Sequence, residues 1–199
     1  MMSHMFWDSP TMPEKREDPR AARSRAALLE AAISLLLEQP GASLSEVAAR
    51  AGVGRATLYR HFDTREKLVE ALALKCLEDT DDAMAPIHDA GLTGRAAIEA
   101  MFQRIMPLAH RFHFLLSLWI YTEEYSEVAT IYNDQLAILG RWIEEARQQG
   151  EINRRYNTTW LVSVIDGLVY AGWWVVQAGD ATAEEAAADA VSTLFNGVG

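Results

Sequence analysis

Between the Pro40-Gly41 break and Phe62 there is room for two short helices and a turn, and for little else. Ser43-x-x-Glu46 has the form of a capping box, in which a serine hydroxyl and a glutamate carboxylate satisfy the first free amides of a helix. Gly52 ends that helix after about two turns. A second helix is predicted from about Gly54 to His61, and its two sides differ in chemistry. Val53, Leu58 and Phe62 fall on one side, where they can pack on Val47 and Ala48; Ala56, Thr57, Tyr59 and Arg60 point away. Two short helices joined by a glycine-containing turn make a helix-turn-helix, whose second helix is sized for the major groove of DNA.

The outward residues suit that task. Arginine can pair bidentately with guanine, and a residue as small as Ala56 allows close approach to a thymine methyl or the backbone. Ser43, Tyr59 and the helix start around Arg65 are placed to bind phosphate, which fixes register without reading sequence. On composition alone, an ordinary solvated face of a helical hairpin fits these residues equally well. The charge distribution adds a second argument. The 199-residue chain has a formal net charge of −10, yet residues 20–67 carry 8 basic and 5 acidic groups while residues 68–199 carry 8 and 19. A small segment that meets a polyanion, attached to a larger body that does not, has this pattern.

The stretch SLSEVAARAGVGRATLYRHFDTREKLVEAL, above all TLYRHF followed by TREKL, resembles the DNA-binding region of the TetR family of bacterial transcriptional regulators. The resemblance covers Ala27 to Leu72, and beyond it extends only to length and helical pattern. It implies an all-α protein of about nine helices: an N-terminal three-helix DNA-binding domain and a C-terminal helical domain for ligand binding and dimerisation. Residues 1–19 are then a flexible tail, 20–66 the helix-turn-helix domain and 67–199 the larger domain. Position by position, Arg55, Ala56, Thr57, Tyr59 and His61 match groove-facing positions, and Ser43, Tyr59 and Arg65 match phosphate contacts. Arg60 joins the set from its outward phase. The family also implies a homodimer on a palindromic double-stranded operator, repression, and release by a small-molecule effector.

The rest of the chain is helical in pattern. A first helix carries Ala27, Leu28, Ala31, Ile33, Leu35 and Leu36 near helical spacing, and Asp63-x-x-Glu66 reads as a second capping box that opens a long helix through Met84. Beyond Pro86, segments 93–110, about 113–121, 126–149, 157–178 and 182–195 follow, with no convincing strand. Residues 100–180 are rich in aromatics, which serve either as core and dimer interface or as the wall of an apolar effector pocket. Pocket candidates are Phe102, Trp119, Glu123, Asn133, Trp142, Asp166, Tyr170 and Trp174. Asp166 is the most informative, because it interrupts the apolar run WLVSVIDGLVYAGWW and a carboxylate buried there needs a partner. Small residues at helical spacing, Val164, Gly167 and Ala171, suggest a close helix contact, and Ala183, Ala187, Ala190 and Leu194 a second stripe; the family implies that these two helices form the dimer interface.

Enzymatic readings find little support. No catalytic constellation, glycine-rich phosphate loop or nucleophile elbow occurs, and no cofactor is implied. His110-x-x-His113, with Glu123 and Glu124 downstream, is a weak metal pattern, so no metal site is expected. The lone Cys76 lies on an apolar helix side and suits a reducing compartment. Apolar runs such as HFLLSLWIY are too short to span a bilayer, and the N-terminal residues lack a signal-peptide pattern, so a soluble cytoplasmic protein is expected. The alternative is a helical interaction module that keeps the helix-turn-helix fold without specific DNA binding.

Overall fold

The computed structural model of the chain describes residues 19–117 and 126–198. In chain order the helices are α1 (Pro19–Glu38), α2 (Leu44–Arg50), α3 (Arg55–His61), α4 (Arg65–Asp89), α5 (Gly94–Ile105), a 3₁₀ turn (Met106–Leu108), α6 (Ala109–Ser117), α7 (Ser126–Gln148), α8 (Thr158–Ala178) and α9 (Ala183–Val198). No strand occurs among the described residues, and the expected all-α class holds. Of the expected tail, Pro19 opens α1 and the rest lies outside the described residues.

Local signals set the first three helices. Ser43 caps α2 through its hydroxyl, which accepts from the Glu46 amide at 3.3 Å, while the Glu46 carboxylate accepts from the Ser43 amide at 2.7 Å. Gly52 turns the chain at φ +67°, a left-handed conformation that costs a side-chain-bearing residue about 1 kcal/mol or more. Leu58 and Phe62 then enter the core with Val47 and Ala48. The α1 stripe sits slightly off the expected one: Leu28, Leu29, Ala32, Ile33, Leu35 and Leu36 are buried, whereas Ala27 is exposed and Ala31 half-buried. The start of α4 also differs, since Thr64 rather than Asp63 is the cap, its hydroxyl accepting from the Lys67 amide at 3.2 Å. Both residues carry a capping oxygen, and the helix begins one position later.

The long helix α4 belongs to two cores. Leu68, Leu72, Ala73, Cys76 and Leu77 complete the N-terminal core with α1–α3, joined by Phe114 and Val128. Met84 and Ile87 belong to a second core built from α5, α7, α8 and α9. The helix continues through Pro86 to Asp89, past the expected end at Met84. Arg111 of α6 stands between the two cores, 2.8 Å from Glu30 of α1 and 2.8 Å from Asp79 of α4, and Lys75 holds Asp79 from the preceding turn.

At 21 residues α8 is long and apolar enough, by length and composition, to cross a bilayer, which corrects the expectation that no apolar run reaches that length. Its apolar residues occupy two faces. Leu161, Ile165, Val169 and Gly172 are buried against the neighbouring helices, and Trp160, Gly167, Ala171 and Trp174 are exposed.

Candidate nucleic-acid interface and effector cavity

The α3 surface is set by a single buried anchor. Leu58 is completely buried and Phe62 nearly so, which turns Arg55, Ala56, Tyr59 and Arg60 to solvent. Tyr59 is 49% exposed, a large ring left half in water. Thr57 is half-buried. His61 is half-buried as well, its Nε2 enclosed without a hydrogen-bond partner among the described residues and its ring tilted on Phe62 at 6.2 Å, so it is turned further inward than the expected groove-facing position.

Two of the domain's arginines serve the protein itself. The Arg65 guanidinium donates to the backbone carbonyls of Pro40 and Ala42, which pins the α1–α2 turn to the start of α4. The expected phosphate contact at Arg65 would therefore use the guanidinium N–H groups that these two carbonyls leave over, or the amides at the α4 start. Arg50 pairs with Glu38 through two bonds, of 2.8 and 3.2 Å, and ties α2 to α1. Neither partnership is visible in sequence spacing. On α3 the positive charge offered outward is that of Arg55 and Arg60. Ser43 is exposed at the α2 start, next to the α2 amides.

Between α4, α5, α7 and α8 lies a partly open, mostly apolar cavity. Asp166 and Trp142 line it, together with residues that sequence spacing did not single out, among them Asp81, Met84, Tyr132 and Gln135. The Tyr132 hydroxyl donates to Asp166 Oδ2 at 3.5 Å, and Gln135 Nε2 donates to Asp81 Oδ1 at 2.8 Å and to the Leu77 carbonyl at 3.0 Å. Burial pushes the Asp166 carboxyl up to about 6, with the Tyr132 hydroxyl pulling the other way. The same enclosure pushes the Tyr132 phenol up.

Several expected pocket residues lie elsewhere. Phe102 is fully buried in the second core and does not reach the cavity wall. Asn133 is exposed, as are Tyr170 at 42% and Trp174 at 60%, all outside the cavity. Trp119 and Glu123 lie outside the described residues. The small-residue stripes also divide. Gly167 and Ala171 are exposed and Val164 is half-buried on α8, but Ala187, Ala190 and Leu194 are buried in the chain's own core, so that α9 stripe is closed to a partner. His113 stacks on Trp173 at 3.8 Å, and Glu124 of the weak metal pattern lies outside the described residues. Cys76 is fully buried, and burial pushes its thiol up to about 12.

Comparisons with known proteins agree with this geometry. Residues 28–72 match the family model described as bacterial regulatory proteins, tetR family. The transcriptional repressor LfrR of Mycolicibacterium smegmatis is 47% identical over 51 residues, 26% of this chain and 27% of the repressor. The repressor KstR2 of Rhodococcus jostii is 29% identical over 93 residues, 46% of each chain. The aligned region thus spans about a quarter and about half of these two relatives. The transcriptional regulator UidR of Escherichia coli K12 matches more broadly, at 24% identity over 89% of this chain and 94% of its own. Among solved structures, the TetR-like regulator LfrR from Mycobacterium smegmatis in complex with proflavine superposes with a TM-score of 0.73 at 24% identity, covering 90% of this chain and 98% of that one. Residues 28–72 thus match the tetR-family DNA-binding region, and the chain shares its helical fold with TetR-like transcriptional regulators.

Proposed function

We propose that this chain is a homodimeric repressor that binds a palindromic DNA operator and is released by a small-molecule effector held in the α4–α8 cavity. The observation that carries the DNA reading is the α3 face, where Arg55, Ala56, Tyr59 and Arg60 stand in water on a helix anchored by Leu58. Arg55 and Arg60 read base edges, Ala56 permits close approach, and Thr57, Tyr59 and Ser43 position the duplex through its backbone. The helix-turn-helix domain is residues 20–66, with residues 67–199 forming the sensing and dimerising domain. Dimerisation uses the exposed α8 face, where Trp160 and Trp174 flank Gly167 and Ala171. Effector release follows from α4, whose first half packs with the DNA-binding helices and whose second half walls the cavity. An effector acts only if it binds the released geometry more tightly than the DNA-bound one.

The test is a selection of bound fragments from a random duplex library, followed by binding of the enriched site to variants. A near-palindromic site is the expected product. Tyr59→Ala is expected to weaken binding to all duplexes alike, while Arg55→Ala also relaxes preference at particular base pairs by about 1–3 kcal/mol. Absence of duplex binding even at low salt would leave a helical interaction module as the reading.

A further inference from the structure

We propose that the effector is an organic cation, an apolar or aromatic body whose single positive charge is set against Asp166. The inference rests on the cavity being the effector site. Its wall is mostly hydrocarbon, thioether and indole, from Met84, Met101, Ile105, Trp142, Ile165 and Val169. Against that wall stand two carboxylates, Asp81 and Asp166, and no lysine or arginine lines the cavity among the described residues.

The two carboxylates differ in their surroundings. Asp81 is exposed at the α4 wall and accepts from Gln135 at 2.8 Å. Asp166 is half-buried, with one long bond of 3.5 Å from Tyr132. A carboxylate withdrawn from water and weakly partnered is costly, and an arriving opposite charge recovers much of that cost. Above about pH 6 the Asp166 carboxyl is mostly ionised despite its burial. An anionic ligand meets the opposite balance, because it would add a negative charge beside Asp81 and Asp166 in a wall whose one basic side chain among the described residues is the imidazole of His88. A neutral ligand gains the apolar contacts and leaves Asp166 as it was. Trp142 adds an aromatic face, which attracts a cation as well as stacking on a flat body.

Gln135 gives the site its connection to the rest of the molecule. Its amide bridges Asp81 and the carbonyl of Leu77, the last N-terminal-core residue of α4. A ligand that engages the carboxylates therefore acts on the turn of α4 where the two cores meet.

Three probes with one ring frame separate charge from shape near pH 7.5: 9-aminoacridine as cation, acridine as neutral body and acridine-9-carboxylate as anion. Titration calorimetry on the full chain is expected to give 9-aminoacridine an advantage of about tenfold or more over acridine, with the anion weakest. Asp166→Asn is expected to remove that advantage while leaving acridine affinity within about twofold, and Asp166→Glu to keep it. Tyr132→Phe, which removes the hydrogen bond and keeps the charge, is expected to preserve cation preference; its loss in this variant would mean that the pair is structural and overturn the proposal. Equal binding of cation and neutral probe to the unmodified protein overturns it without any variant, so a failure of Asp166→Asn to fold leaves the test intact. A cation advantage that survives Asp166→Asn, or disappears instead in Asp81→Asn, overturns the assignment to Asp166. If the neutral or anionic probe binds best and displaces operator DNA, the charge inference falls and the cavity reading stands. If none of the three binds, both fall.

Discussion

Helices α3 and α8 both leave large side chains in water, and they do so with opposite chemistry. In α3 a buried leucine holds the helix and arginines and a tyrosine face outward. In α8 two tryptophans face outward at 60% exposure each, while a carboxylate, Asp166, lines an internal cavity. The first is an ordinary amphipathic arrangement whose outer face suits a polyanion. The second is partly inverted, and both inversions carry meaning. Exposed indoles on one helix face suit an apolar partner, and a half-buried carboxylate is eased by a hydrogen bond, a proton or a positive charge.

The outer α8 face gives the largest expected effect. Replacing Trp160 and Trp174 together by serine removes two large anchors of the proposed dimer and is expected to cost about 4 kcal/mol of association, roughly a thousandfold in the dimer constant. Sedimentation analysis over a range of concentrations reads this directly. The monomer fold should persist, because neither side chain is buried within the chain. A variant that remains dimeric at the same concentrations would show that these indoles face something other than a second copy, and the contrast with α3 would need another explanation.

The inner α3 face comes next. Leu58→Ala leaves a cavity beneath the helix and is expected to lower stability by about 3 kcal/mol, together with operator binding. Tyr59→Ala, one residue away and half in water, should leave the melting temperature nearly unchanged while weakening DNA binding. Thermal melts of the two variants beside their operator affinities separate anchor from contact. Equal destabilisation by both would mean that Tyr59 is a packing residue and that the outer face of α3 is not free.

The same contrast explains how much the sequence alone revealed. The helix-turn-helix was legible because its determinants lie within a few residues of one another: the Ser43–Glu46 box, the Gly52 turn, and the phase of Leu58 and Phe62. Where it misled, two similar residues competed, as at Asp63 and Thr64, and where it was silent the partner lay far along the chain, as with the Pro40 and Ala42 carbonyls that engage Arg65. The cavity was barely legible, because four helices wall it and no spacing joins Asp81, Met101, Gln135 and Asp166. Asp166 was visible as a charge interrupting an apolar run. Ala187, Ala190 and Leu194 misled because a stripe of small apolar residues has the same pattern whether it meets its own core or a partner.

The inner α8 face gives the smallest effect and the sharpest one in pH. The Asp166 carboxyl is raised from 3.8 to about 6 in the folded chain, so the native state holds a proton that the unfolded chain releases between those values. Stability from this group is therefore lost as pH rises through that window, and the full penalty is present above about pH 6. Asp166→Asn carries no such proton. It is expected to match the unmodified protein below about pH 4 and to exceed it at neutral pH by on the order of 2 kcal/mol, with the difference growing between the two. Denaturant melts at closely spaced pH values follow that growth. A difference constant with pH would mean that Asp166 is as well solvated in the folded chain as in the unfolded one. A growing difference that closes again when 9-aminoacridine is added would show that the cost of keeping a charge on the inner face of α8 is recovered by a cation.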